Sequence, residues 1–222
     1  MAQPGLAGLF ERIGIDDGCG GQRTFAHACA AKDLDPRTFA ALREAPTKLP
    51  AGGSVVDAGT MPLTALADHI EPTHQHYLNE ELRALVEKAG CVAPKHGRRD
   101  ARLAPVAETR RALAEEMMTL MAKAEQILFP LVRALAPTGT VSGHGGPIAN
   151  LIPQRERAHA GAGAAVARLR ELTDGFTPDV EACTTHRAML AGYARFETDL
   201  HARGHQENNV LFPRALEVSA AA

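Results

Sequence analysis

The sequence predicts an all-α protein, an up-down four-helix bundle over residues 60–218 preceded by a small helical module over residues 1–50. Three observations carry this reading. Four long segments place apolar residues at alternating steps of three and four, which gathers them on one helix face. Two of those segments close with similar runs, AEQILFPLVRAL (124–135) and ENNVLFPRAL (207–216), as a repeated helix pair in a symmetric bundle would. Between module and bundle, TKLPAGGSVVDAGT (47–60) has the composition of a linker.

The module opens on an amphipathic segment marked by Leu6, Leu9, Phe10 and Ile13. GIDDGCGGQRT (14–24) interrupts it with four glycines, and RTFAHACAAKDL (23–34) resumes a helical pattern. Asp35-Pro36 then starts a short helix carrying Phe39 and Leu42. The first bundle helix opens at Thr60-Met61-Pro62, with proline in its first turn, and carries Leu63, Leu66, Ile70, Leu78, Leu82 and Leu85. The second, over about 106–135, has Leu113, Met117, Leu120, Ala124, Leu128 and Leu131 facing inward, and the Pro/Gly-rich APTGTVSGHGGP ends it. The third runs to about Thr173, with Ile148, Ile152, Arg155, His159, Ala162, Val166 and Leu169 on one face. The fourth, over about 179–212, aligns Met189, Tyr193, Phe196, Leu200, Arg203, Glu207 and Leu211. With tryptophan absent and aromatics at 4%, Leu, Ala, Val, Ile and Met must build the core.

Composition narrows the function. A formal charge of −2 gives no electrostatic basis for binding nucleic acid. No stretch approaches a membrane span, and the N-terminus lacks the charged start and apolar run of a signal peptide. The four cysteines, Cys19, Cys29, Cys91 and Cys183, are scattered without a CxxC pair, so the predicted compartment is a reducing cytoplasm. Cys29 and Cys183 fall in helical patterns and read as buried and inert.

A dimetal centre in a four-helix bundle needs histidines and carboxylates converging from all four helices. A His and a Glu four residues apart supply both from one face. The fourth helix has Glu207, but Arg203 stands one turn before it. Aligning the two LFP triplets sets Ala124 against Glu207 and Leu120 against Arg203, so the second helix offers no ligand there. The third helix brings His159 inward. On the first, HQH (74–76) follows Pro72, and because proline disturbs the register either His74 or Gln75 points inward. His74 and His76 read as surface histidines that supply a substitute ligand only through a register shift. His201 and His205 are spaced like ligands but fall off the stripe, and His27, His69, His96, His144 and His186 form no constellation. Cys19 lies in a glycine-rich turn ahead of a helix start, where the helix dipole favours thiolate. It reads either as a redox or metal-delivery thiol or as a small residue in a tight turn.

Taken together, GCGGQRTFAHACAAKDLDP, LADHIEPTHQHYLNEEL, AEQILFPL, GGPIAN, HAGAGAAVARLRELT, FTPDVEACTTHRAML and ENNVLFPRAL resemble the iron–sulfur cluster repair di-iron proteins (the RIC family, YtfE/ScdA type) nearly end to end. The resemblance implies a hemerythrin-like bundle after an ScdA-type cysteine module, and a non-haem di-iron centre. It also implies damaged iron–sulfur proteins as partners under nitric oxide or peroxide stress, and leaves a homodimer open. Carried over by residue, the family's metal ligands match Glu207 and, if QRER is read as an extra turn, His159; otherwise that slot falls on Arg155. The remaining ligand positions match Gln75, Leu120, Ala124, Ala158 and Arg203, and the adjacent cysteine pair becomes Gly18-Cys19. An arginine about 5 Å from a dication, at an effective dielectric near 20, is repelled by roughly 6–7 kcal/mol. The expectation is therefore an ionic network in place of the metals, with Glu207 paired to Arg203 one turn away or to Arg155 across the bundle.

Overall fold

The computed structural model describes residues 25–30, 58–138 and 148–220. Helix α1 is the short Phe25–Ala30, in which Cys29 is fully buried. The other readings made on residues 1–57 fall almost wholly outside the described residues, Cys19 among them.

Four long helices form the bundle. Helix α2 runs through Leu63–Ile70, a π-helical turn Glu71–Gln75 and His76–His96. Helix α3 follows the same plan, with Leu103–Lys123, the π turn Ala124–Leu128 and Phe129–Thr138. Helix α4, Ile148–Leu172, has no such turn. Helix α5 comprises Thr184–His205, the π turn Gln206–Leu211 and Phe212–Ala220. Neighbours pack in the ring α2–α3–α4–α5, closed by α5 against α2.

The apolar stripes meet as the spacing predicts. All seven inward positions named for α4 and all seven named for α5 are buried. Two boundaries differ. Helix α5 begins only at Thr184, because Asp174, Gly175 and Phe176 adopt positive φ and turn the chain sharply after α4. It also continues past Pro213 to Ala220, beyond the end expected near residue 212. A π turn explains the continuation: Phe212 N–H bonds five residues back to the Glu207 carbonyl, and the widened backbone accommodates the proline that follows. The repeated LFP triplet marks the same device in α3, where Phe129 N–H bonds to the Ala124 carbonyl. There the extra residue shifts the stripe, so Phe129 and Val132 are buried and Leu131, expected inward, is half-buried.

The core is in two parts. One apolar cluster gathers Leu63, Ile70, Ala124, Phe129, Ile152 and Phe212; the other gathers Leu78, Leu85, Met117, Leu120, Ala162 and Phe196. The residues between them, on each helix, build the polar layer described next.

Candidate functional site

A π turn widens a helix by one residue, rotating the side chains beyond it and reshaping carbonyl bonding. In α3, the Leu120 carbonyl at the mouth of the turn accepts both the Ala124 N–H and Nη1 of Arg155, the latter at 2.6 Å. Arg155 comes from α4, two turns of helix beyond Ile148, and is almost fully buried. Its Nε donates to Oε2 of Glu207 at 3.0 Å and its Nη2 to Oε1 at 3.3 Å, a two-pronged grip on the carboxylate. Arg203, four residues before Glu207 on α5, donates Nε to Oε1 at 2.8 Å. Glu207 and Arg203 are both 0% exposed. The two pairings expected as alternatives therefore occur together.

His159 lies one turn after Arg155, and both reach Glu207. Its Nε2 stands 3.1 Å from Oε2 but out of line for a hydrogen bond, while its Nδ1 is 2.9 Å from Oδ1 of Asn208. The imidazole stacks on Phe212, with ring centroids 6.3 Å apart. Burial by itself would raise the pKa of Glu207. The charges of Arg155 and Arg203, with His159 beside them, reverse this and hold the carboxyl well below the ordinary carboxylate range. Burial, then the nearby Arg203, pulls the Arg155 guanidinium below its usual value despite Glu207; a guanidinium nonetheless keeps its proton in a protein.

His74, from the π turn of α2, was expected at the surface; it is buried. The π turn swings it inward, where Nδ1 meets Oδ1 of Asp199 at 2.8 Å and Nε2 is left without a hydrogen-bond partner. The side chain of His76 lies outside the described residues. Leu120 and Ala124 are buried, and their side chains offer the layer no ligand; their polar contribution there is the Leu120 carbonyl. The structure thus brings Arg155, His159, Arg203 and Glu207 to one point and sets His74 on Asp199. Sequence reasoning missed Asp199 and Asn208 because each lies beside a stripe position. The proline- and LFP-marked π turns were the available signal that residues flanking the stripe turn inward there.

Residues 66–215 match the family model described as the hemerythrin HHE cation binding domain. The chain belongs to the hemerythrin HHE family. Among curated relatives it is 34% identical over 220 residues to the iron–sulfur cluster repair protein YtfE of Citrobacter koseri, covering 97% of this chain and 93% of that one. It is 33% identical over 221 residues to the protein of that name from Musicola paradisiaca, covering 99% and 95%. The Escherichia coli protein of that name is 34% identical over 220 residues, covering 97% and 93%. This places the chain in the YtfE group of cluster repair proteins.

The family is described as cation binding, and its fold implies a metal pair. The residues of this hemerythrin-type layer do not fit one. Both oxygens of Glu207 are engaged by guanidinium groups, and α3 presents a leucine and an alanine. Among the described residues no group of three or more His, Cys, Asp or Glu side chains is arranged to hold a metal ion. Among the described residues no helix is long and apolar enough to cross a membrane.

Proposed function

We propose that this protein is a metal-free member of the iron–sulfur cluster repair group, working in the cytoplasm as a scaffold or regulatory partner of damaged iron–sulfur proteins. The observation that carries this is the grip of Arg155 and Arg203 on Glu207. A carboxylate that already accepts three hydrogen bonds from two buried guanidiniums has little left to offer a cation, and two positive charges repel one. The bundle then keeps the family's shape, and with it the surfaces that meet a partner, while an ionic lock fills its centre. Cys19, in the N-terminal module, is the thiol that this reading retains for work on the partner.

Elemental analysis of protein made in iron-replete cells tests the reading. Less than about a tenth of an iron per chain, with a melting temperature unmoved by chelator, is the expected result, since a structural metal contributes folding free energy. Oxo-bridged di-iron absorption from the purified protein would overturn it and restore a di-iron repair protein.

A second reading rests on a separate observation. The Nε2 atoms of His74 and His159 are both buried without a hydrogen-bond partner. In that reading His159, Glu207 and a histidine of α2, His74 or His76, hold one iron once the arginines withdraw. His159→Ala then removes the metal; unchanged metal content in that variant ends the reading.

A further inference from the structure

At roughly 30 Å along α2 from the polar layer, by helix rise, the structure assembles a second group of side chains. Cys183 is the N-cap of α5, in extended backbone conformation (φ −68°, ψ 165°), and is half-buried. Its sulfur lies 3.3 Å from Nε2 of His96, the last residue of α2. His186, one turn into α5, packs its ring against His96 with centroids 5.8 Å apart. It is 8% exposed. Cys183 and His186 were expected to be an inert thiol and a histidine without company. Tertiary packing gives both a role, since the cysteine and His96 are 87 residues apart in sequence.

The arrangement is anchored. Arg187 donates Nε to the Ala182 carbonyl at 2.9 Å and Nη2 to the Val180 carbonyl at 2.7 Å, fixing the approach to Cys183. Arg99 pairs with Glu181, tying the chain just beyond His96 to that same approach. The first backbone N–H groups of α5 have no acceptor within the helix, and the N-terminal end of the helix dipole, where Cys183 is the N-cap, favours negative charge on a nearby sulfur.

We propose that Cys183 and His96 form a thiol–imidazole pair that exchanges with low-molecular-weight disulfides, making Cys183 a site of reversible S-thiolation. The Cys183 proton passes to Nε2 of His96 as the sulfur attacks one sulfur of the disulfide. The S–S bond of the small molecule breaks, a new S–S bond forms to Cys183, and the departing thiolate takes the proton from His96. One disulfide is consumed and one made, so no other oxidant is needed. His186 remains the neutral neighbour: burial first, then His96, pushes it below the ordinary histidine value, against the pull of Asp100. Asp100 and Asp179 are the anions and Arg102 the cation facing this pair of rings. The site is independent of whether the bundle centre holds metal.

Cys91, exposed on α2 and without a hydrogen-bond partner among the described residues, is the internal control. The full chain is treated with glutathione disulfide near neutral pH, and each cysteine peptide is followed by mass spectrometry. Cys183 is expected to form the mixed disulfide at least about tenfold faster than Cys91, and His96→Gln to slow Cys183 by at least about tenfold while leaving Cys91 unchanged. Equal rates at Cys183 and Cys91 in the unaltered chain overturn the proposal without any variant. So does a His96→Gln chain in which Cys183 reacts as before. Cys29 reports folding, because its buried thiol should stay unmodified throughout.

Discussion

The layer around Glu207 and the layer around Leu85, Met117 and Phe196 occupy the same bundle and are filled in opposite ways. The apolar layer is held by burial alone, which is non-directional and tolerant of modest repacking. The charged layer is held by donors and acceptors matched atom to atom, with Arg155 and Arg203 on one carboxylate and His159 close beside it. Removing part of either layer is costly, but replacing the whole layer is not equally costly in both. A cavity loses contacts in proportion to its size, whereas half of a buried ion pair leaves a charge with nothing to oppose it.

The largest expected effect follows from that asymmetry. Glu207→Ala leaves two buried guanidiniums facing each other and should cost about 3–5 kcal/mol in urea unfolding. Leu85→Ala, in the apolar layer, should cost about 2–5 kcal/mol, its value set by how far the neighbours collapse. The sharper comparison is a combined Arg155→Met, Arg203→Leu, Glu207→Leu chain. Its stability should be unchanged or higher by about 1–4 kcal/mol, since three ions no longer have to be desolvated. A combined variant as unstable as Glu207→Ala would mean that the lock specifies the fold and does more than fill its centre.

Acid separates the layers without altering the chain. Glu207 is held well below the ordinary carboxylate range in the folded state and relaxes to that range on unfolding. Its contribution is therefore complete above the unfolded value, about 4.3, and is lost as pH falls toward the depressed folded value. Unfolding free energy measured from neutral pH downward should hold to about pH 5 and then decline. The Glu207→Gln chain should lack that part of the decline. An identical acid profile in both chains would show that the lock contributes no pH-dependent stability.

Most of the bundle was legible because an apolar stripe constrains every turn of a regular helix. Helices α4 and α5 placed all fourteen named positions inward, Arg155, His159, Arg203 and Glu207 among them. Legibility failed where the helix changes its own period. Leu131 was misplaced because it follows a π turn, and a stripe counted in threes and fours carries no allowance for the inserted residue; at His74, within another such turn, the same count left the inward residue open. Arg155 and His159, the two alternatives for the family's ligand slot on α4, lie one turn apart and both reach Glu207. The thiol–imidazole pair was illegible for a different reason. Neither His96 nor Cys183 belongs to a local pattern, and only the packing of α2 on α5 brings them together.

The smallest expected effect isolates burial from charge. Arg111 and Glu115 on α3 form an ion pair one helical turn apart, as Arg203 and Glu207 do on α5, at 3.4 Å. About two-thirds of each side chain of the α3 pair is open to solvent, whereas the α5 pair is sealed. Water screens the first pair and has already satisfied most of what its members offer each other, so Arg111→Ala should cost only about 0.3–0.5 kcal/mol. That loss should vanish in 1 M salt, where the screening length falls to roughly 3 Å. The penalty for Glu207→Ala should survive the same salt, because ions do not enter the layer. If salt erased both, water would have to reach Glu207, and the lock would be an ordinary surface pair folded inward.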